Sequence, residues 1–357
     1  MVKMKIIELI GSFAERGFQH GQLLQKEIHE FYETWIKVAQ EGPNPPREKD
    51  LLEYAKMHLP YAQKFAPELI KEIEGIAQGA DIDFEKVFFL NCYDEVSSYS
   101  PDVVAKGLKG CTSFAATGTG TFSGSTFIGQ GWDMDSWYMP YIFHSKPTDH
   151  DKEIIGLIHP GLIGGSGLND SGIAFVWNSL KPTDTRIGVP VNFIGRKVLQ
   201  QNNLSGAIGM VISAYRANGL NYLIACPEAA VNVEATAQKY AVSYVHDVFS
   251  HANHYEASSL LGYEEYLPNI VPDTLVRSGR MRQLLEQYKG SIDLNVCKKL
   301  MCDHVNYPGS ICRHYSPNSP WQTQSSIIYS PKDGLMLASN GRPCEVGFDE
   351  YHLEHKS

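Results

Sequence analysis

The feature that most restricts this chain is a change of pattern at residue 111. Before it, apolar side chains recur at helical spacing; after it, short apolar runs alternate with glycine-rich turns. Over residues 14–40 the apolar positions Phe18, Leu23, Leu24, Ile28, Phe31, Trp35 and Val38 fall on one helical face, which predicts a single long helix. Pro43, Pro45 and Pro46 then stop it, because proline lacks the amide hydrogen the helix ladder needs. Residues 51–77 predict two or three shorter helices broken near Pro60 and Pro67. A short strand over residues 5–10, ended by Gly11, precedes them. The first third is therefore expected to be mainly helical.

From residue 111 the pattern is that of strands. Residues 111–116, a turn at Gly118-Thr119-Gly120, and residues 125–129 predict a hairpin. Further strands are expected at 141–144, 154–158, 172–177, 222–225, 231–234, 241–246, 325–329 and 335–338, followed by a polar tail. Helices are expected at 191–200, 205–217, 275–288 and 294–303. Blocks of strands separated by paired helices predict antiparallel sheets sandwiched between helices.

Composition narrows the partners. With 357 residues, 43% hydrophobic, the chain can bury a core that needs neither disulfides nor a metal. A net charge of −9 argues against nucleic acid or an anionic membrane as partner. No stretch approaches the roughly 20 apolar residues of a membrane span. The start is not expected to be a signal peptide, and the end matches no lipidation or peroxisomal address. Seven scattered cysteines suit free thiols in a reducing cytoplasm.

The nucleophile candidate is Cys111, in Lys109-Gly110-Cys111-Thr112-Ser113 at the helix-to-strand junction. Glycine before it permits backbone geometry that attack by the thiol on its own preceding carbonyl requires. After such a cut Cys111 carries both a thiol and a free α-amine, and the amine serves as base for the thiol. Asp133, in Gln130-Gly131-Trp132-Asp133, lies on a strand expected beside that of Cys111 and is placed to orient the amine. Asn253, in His251-Ala252-Asn253-His254, offers the neutral amide donor that a tetrahedral oxyanion needs. Arg313, closing Asn306 to Arg313, supplies a forked cation for a carboxylate such as Asp133 or a substrate acid.

In this order, these segments resemble the acyl-coenzyme A:6-aminopenicillanic acid acyltransferase family of N-terminal nucleophile hydrolases. The marks are Gly110-Cys111-Thr112, Gly129-Gln130-Gly131-Trp132-Asp133, Gly167-Leu168-Asn169-Asp170-Ser171-Gly172, His251-Ala252-Asn253-His254 and Asn306 through Arg313. Asn340-Gly341-Arg342-Pro343 also resembles the family's closing strand. The resemblance implies a four-layer αββα sandwich whose precursor cuts itself between Gly110 and Cys111. Residues 1–110, mainly helical, and 111–357, the catalytic core, would then be the two products. It implies Cys111 as nucleophile, Asn253 as oxyanion donor, Asp133 and Arg313 as supports, Ser113 as a helper of self-cleavage and Asn178 as a second group beside the oxyanion. Asn169 reads instead as a turn residue tolerating left-handed geometry.

The expected enzyme is a cytoplasmic amidohydrolase or acyltransferase, acting on a small N-acyl amide or acyl-thioester. Its partners are that substrate and its own cleaved segment, with homo-oligomerisation open, and no nucleic acid, membrane, cofactor or metal expected. Three rivals stay open. One is a thioesterase or peptidase with an internal Cys111 and a histidine base. Another is a zinc module built on Cys302, His304, Cys312 and His314. The third is a degenerate relative that only binds small molecules.

Overall fold

A computed structural model describes residues 3–41, 44–97, 110–265, 272–317 and 321–354. Lys109, next to the expected cut, lies outside the described residues. Strand β1 (Ile6–Gly11) opens the chain and helices follow it up to Val96. The single helix expected over 14–40 is two, Phe13–Leu23 and Gln25–Ala39, joined where Leu24 leaves helical geometry at φ −125° and ψ 25°. The apolar period runs unbroken through that join, with no glycine or proline to betray it. Glu48–Lys56, Leu59–Phe65 and Pro67–Ala80 follow, with breaks near the expected prolines.

The Phe13–Leu23 and Pro67–Ala80 helices touch backbone to backbone. A Cβ on Gly17 would stand 2.1 Å from the Glu72 carbonyl oxygen, and one on Gly79 would stand 2.1 Å from that of Phe18. Only glycine permits this approach.

The remaining strands are β2 (Gly110–Gly118), β3 (Gly124–Met134), β4 (Tyr141–Pro147), β5 (Ile154–Ile158), β6 (Ser166–Asn169), β7 (Ala174–Ser179) and β8 (Leu220–Cys226). They continue as β9 (Ala229–Ala235), β10 (Tyr240–Tyr244), β11 (Val248–His251), β12 (Gln322–Ser330), β13 (Leu335–Ala338) and β14 (Asp349–His352). One sheet runs β1-β4-β5-β6-β7-β8-β9-β10 and the other β11-β2-β3-β12-β13-β14. Neighbours are antiparallel except β1 and β4, which are parallel.

The sheets stack face to face, with β2 and β3 against β7 and β8. The Val191–Leu199 and Leu204–Ser213 helices cover the larger sheet, and Asp273–Tyr288 and Leu294–Leu300 cover the smaller. This is the expected four-layer αββα sandwich. Every residue of β5 and β6 is buried, because sheet and helix cover both faces. No helix among the described residues is long and apolar enough to cross a membrane.

Strands β6, β11 and β14 were not expected: the first is short and contains glycine, and the last is a polar edge strand. Residues 340–343 form no closing strand; the chain bends there into the short helix Pro343–Val346. Nor is Asn169 left-handed. Gly172 takes the positive φ of 76°, while Asn169 accepts from the Ser171 and Ile173 amides at 3.0 and 2.8 Å and so shapes the turn.

Candidate active site

Strand alternation decides what Cys111 faces. Thr112, Phe114 and Ala116 point toward the Asp273–Tyr288 helix, where Phe114 and Ala116 join an apolar cluster with Met281 and Leu285. Cys111, Ser113 and Ala115 point the other way, between the sheets. Cys111 is 4% exposed, with Trp132 directly opposite on β3. Gly110 and Cys111 are successive residues of one strand, and Gly110 lies opposite Asp133. What this glycine supplies is space: a Cβ there would stand 3.1 Å from both Cβ and Oδ2 of Asp133.

Asn253 follows β11, and its side chain meets the backbone of Cys111. The Cys111 amide donates to Asn253 Oδ1 at 2.8 Å, and Arg277 Nη2 donates to the same oxygen at 3.0 Å. Two donors converge there, so the oxygen and not the amide nitrogen must face them. Asn253 Nδ2 donates to the Ser179 carbonyl at 3.1 Å, and its own backbone amide donates to Thr274 Oγ1 at 2.7 Å. Asn253 is thus fixed at both ends of its side chain and at its backbone.

Sequence reasoning missed Arg277. It is 1% exposed, and its Nη1 donates to the Cys111 carbonyl at 2.6 Å and to Thr112 Oγ1 at 2.9 Å. Its Nε donates to Asp273 Oδ1 at 2.9 Å, across one helical turn. The i,i+4 pairing of Asp273 with Arg277 was the available signal, but Asp273 fell outside the helix expected at 275–288. Asp273 also pairs with Arg313 Nη2 at 2.5 Å. Burial works to raise the Asp273 pKa, and the two guanidiniums together outweigh it and hold the carboxyl below its ordinary range.

Asp133 is fully buried. Thr323 Oγ1 donates to its Oδ1 at 2.7 Å, and Arg313 Nε lies 3.6 Å from its Oδ2. Burial pushes its pKa up, against the pull of Arg313 and Arg277.

Across the gap, Ser113 Oγ donates to Asn178 Oδ1 on β7 at 2.6 Å, and Asn221 Nδ2 donates to the same oxygen at 3.1 Å. That leaves Asn178 Nδ2 buried with no hydrogen-bond partner among the described residues. A buried donor in that state costs about 1–3 kcal/mol unless something accepts from it. Nearby, Gln130 ties the sheets together: its Nε2 donates to the Trp177 carbonyl, and its Oε1 accepts from Ser166 Oγ at 2.9 Å.

The aromatic residues sort themselves. Burial pushes the Tyr93 pKa up, and the charges of Asp94, then Tyr138 and last Cys111, add to it. Tyr138 stacks on Trp137 at 4.0 Å, and Trp132 packs against His159 at 5.1 Å. Tyr141 instead reaches Glu27, and Trp177 packs on Phe175. His251 and His254 have their rings engaged by Glu234 at 2.8 Å and by Thr274 at 3.0 Å. Burial pushes the His254 pKa down to about 4. The surface clefts at Asn169, Pro331 and Leu353, and at His29, Ile82 and Lys86, contain none of the residues around Cys111.

Residues 124–344 match the model of the family described as acyl-coenzyme A:6-aminopenicillanic acid acyl-transferase. The chain is 25% identical over 340 residues to the acyl-coenzyme A:6-aminopenicillanic-acid-acyltransferase 40 kDa form of Emericella nidulans, covering 93% of this chain and 91% of that one. It is also 25% identical over 354 residues to an uncharacterized protein of Archaeoglobus fulgidus, covering 85% of this chain but spanning only 58% of that relative's length. Among solved structures, a mutant conjugated bile acid hydrolase from Clostridium perfringens matches at TM-score 0.47 and 12% identity, over 69% of this chain and 93% of that one. Penicillin V acylase from Agrobacterium tumefaciens matches at TM-score 0.42 and 12% identity, over 64% and 83%.

Proposed function

Because this chain belongs to the acyl-coenzyme A:6-aminopenicillanic acid acyl-transferase family, we propose that it is a self-activating N-terminal cysteine enzyme cleaving or transferring the acyl group of a small N-acyl amide or acyl-thioester. The observation that carries this reading is the seat built around the Cys111 nitrogen. Asn253 Oδ1 accepts from it at 2.8 Å, and Arg277 fixes that oxygen and the Cys111 carbonyl together. Any buried backbone N–H needs an acceptor; here a side chain supplies it, so the same oxygen can go on holding the nitrogen once it is a free amine.

Activation starts when the Cys111 thiol attacks the Gly110 carbonyl carbon. The Gly110–Cys111 C–N bond breaks, the thiol proton passes to the departing nitrogen, and water hydrolyses the resulting thioester. Residues 1–110 and 111–357 are the products. Ser113 Oγ, bonded to Asn178, lies on the same strand face as the thiol and assists this step.

In turnover the α-amine, held by Asn253 Oδ1, takes the Cys111 proton as the sulfur attacks the substrate carbonyl. The oxyanion is stabilised by Asn178 Nδ2, the buried donor lacking a partner, and by the second hydrogen of Asn253 Nδ2. The amine then protonates the leaving group, and water or an acceptor amine resolves the acyl-cysteine. Asp133 and Arg313 set the charge around the amine. The aromatic wall of Tyr93, Trp132 and Tyr138 suits an apolar acyl chain. The scattered free thiols fit work in the cytoplasm.

Mass spectrometry of wild type beside Cys111→Ala tests the reading. Two fragments meeting at Gly110/Cys111 are expected in the first, and one inactive, uncut chain in the second. A fully active, unbroken wild-type chain would overturn it and favour the internal-cysteine rival.

A further inference from the structure

Four side chains, three from residues 304–314 and one from Cys344, converge on the loop that carries Arg313. His304, Cys312, His314 and Cys344 each present one nitrogen or sulfur, and these atoms all lie within 4.8 Å of one another. Cys312 Sγ is 3.5 Å from Cys344 Sγ and 3.9 Å from His314 Nε2. Cys344 Sγ is 3.5 Å from His314 Nε2, which is 3.1 Å from His304 Nε2.

A zinc ion held tetrahedrally, about 2.3 Å from sulfur and about 2.0–2.1 Å from nitrogen, places two sulfurs roughly 3.8 Å apart. The same geometry puts sulfur and nitrogen roughly 3.5 Å apart and two nitrogens roughly 3.3 Å apart. All four measured edges agree with these to within about 0.4 Å. The remaining adjustment falls on His304, which is exposed.

We propose that His304, Cys312, His314 and Cys344 bind one zinc ion in a closed structural site. Two thiolates and two imidazoles form a donor set that selects zinc over calcium or magnesium. Each thiol gives its proton to solvent as its sulfur binds, so the ion's two charges are neutralised and no electron moves. His314 Nδ1 faces Glu345 Oε1 at 4.0 Å, and Arg342 holds Glu345 at 2.6 Å. The Tyr307 ring lies 5.1 Å from that of His314 and screens it. The loop is preformed: the Cys312 amide donates to Asp303 and the His314 amide to Pro308, both at 3.0 Å.

The set departs from the one weighed from spacing alone. Cys302 is not among the four, and its place is taken by Cys344, which the fold delivers from beyond β13. Arg313 lies between two of the ligands, so the ion would lock the segment presenting its guanidinium to Asp133 and Asp273. The site is independent of whether Cys111 cuts the chain.

Full-length protein from zinc-supplemented culture, passed through chelating resin, is assayed by plasma mass spectrometry. About one zinc per chain is expected in wild type and in Cys302→Ser, and under a tenth in His314→Ala and Cys344→Ala. Cobalt exchanged into wild type should give the intense visible absorption of a tetrahedral site with thiolate charge transfer, and Cys344→His should keep the metal with roughly half that charge transfer. Wild type without zinc, zinc undiminished in the alanine variants, or cobalt lacking the thiolate band would each overturn the proposal. So would five reactive thiols instead of the seven in the sequence, counted after denaturation in chelator, since that marks a Cys312–Cys344 disulfide.

Discussion

Replacing Arg277 by methionine is the sharpest test of how the site is held. The variant keeps the length of the buried stem and removes the guanidinium, with its bonds to the Cys111 carbonyl, Thr112, Asn253 and Asp273. Breaking a buried ion pair from one side costs about 3–5 kcal/mol. Asp273 keeps Arg313 at 2.5 Å, so the low end, about 3 kcal/mol, applies here. With unfolding entropy near 2.1 cal/mol/K per residue, a chain of 357 residues loses roughly 4 °C of melting temperature for that cost. Activity should suffer more. Asn253 Oδ1 loses one of its two donors and the Cys111 carbonyl loses its charged one, and an error of about 1 Å in such a group costs roughly 100-fold in rate. The assay pairs thermal unfolding by circular dichroism with turnover of a chromogenic N-acyl anilide. Arg277→Lys should recover part of the stability but little of the rate, since the three donors of a compact ammonium cannot span the four acceptors of the guanidinium. A methionine variant melting within about 1 °C of wild type and turning over within threefold would refute the assignment of Arg277 as the residue that fixes the site.

Three further outcomes follow from the same geometry. Asn253→Ala should lower turnover about 100- to 1,000-fold while the circular dichroism spectrum stays that of the folded chain; near-normal rates would remove Asn253 from the oxyanion site. Asn178→Ala should slow turnover and also free Ser113 Oγ, so slower self-cleavage is expected on denaturing gels, and unchanged kinetics of both would count against it. His20 is fully buried, accepts from the Gly161 amide at 3.1 Å, and burial pushes its pKa down to about 4. Its neutral form is the folded one, so its contribution is present above the unfolded pKa of 6.5 and is lost as pH falls toward 4. By pH 4.5 the loss is about 2.5 kcal/mol, and urea unfolding of His20→Gln should show a flatter pH profile than wild type.

The legible parts of the fold were those where local chemistry decides. Residues 154–158 and 335–338 read as strands to the residue, because each is a short apolar run closed off by its neighbours, Glu153 and His159 in the first and Gly334 and Ser339 in the second. Gly110-Cys111 and Asp133 were found through neighbouring strands, whose register follows from one hairpin. What stayed hidden depends on meetings between distant segments. The seam of Gly17 against Glu72 leaves no trace in hydrophobic periodicity, since its glycines lie on two separate helices. Arg277 sits on a helix whose charged residues look like any solvated face, and only the fold turns that face toward Cys111. Cys344 stands 32 residues from Cys312, beyond any spacing rule.

Strand β1 lies in the larger sheet, parallel to β4, while the helices after it are bolted to the same layer by Arg16 against Asp151 at 2.7 Å. Strand β2 is laddered on one side to β11 and on the other to β3. Severing the backbone ahead of Cys111 therefore releases nothing: the leading piece would have to be peeled out of a sheet to escape. A cut there, if the chain makes it as proposed, ought to be invisible to gel filtration and evident only once the protein is boiled in detergent, with both pieces melting as a single body.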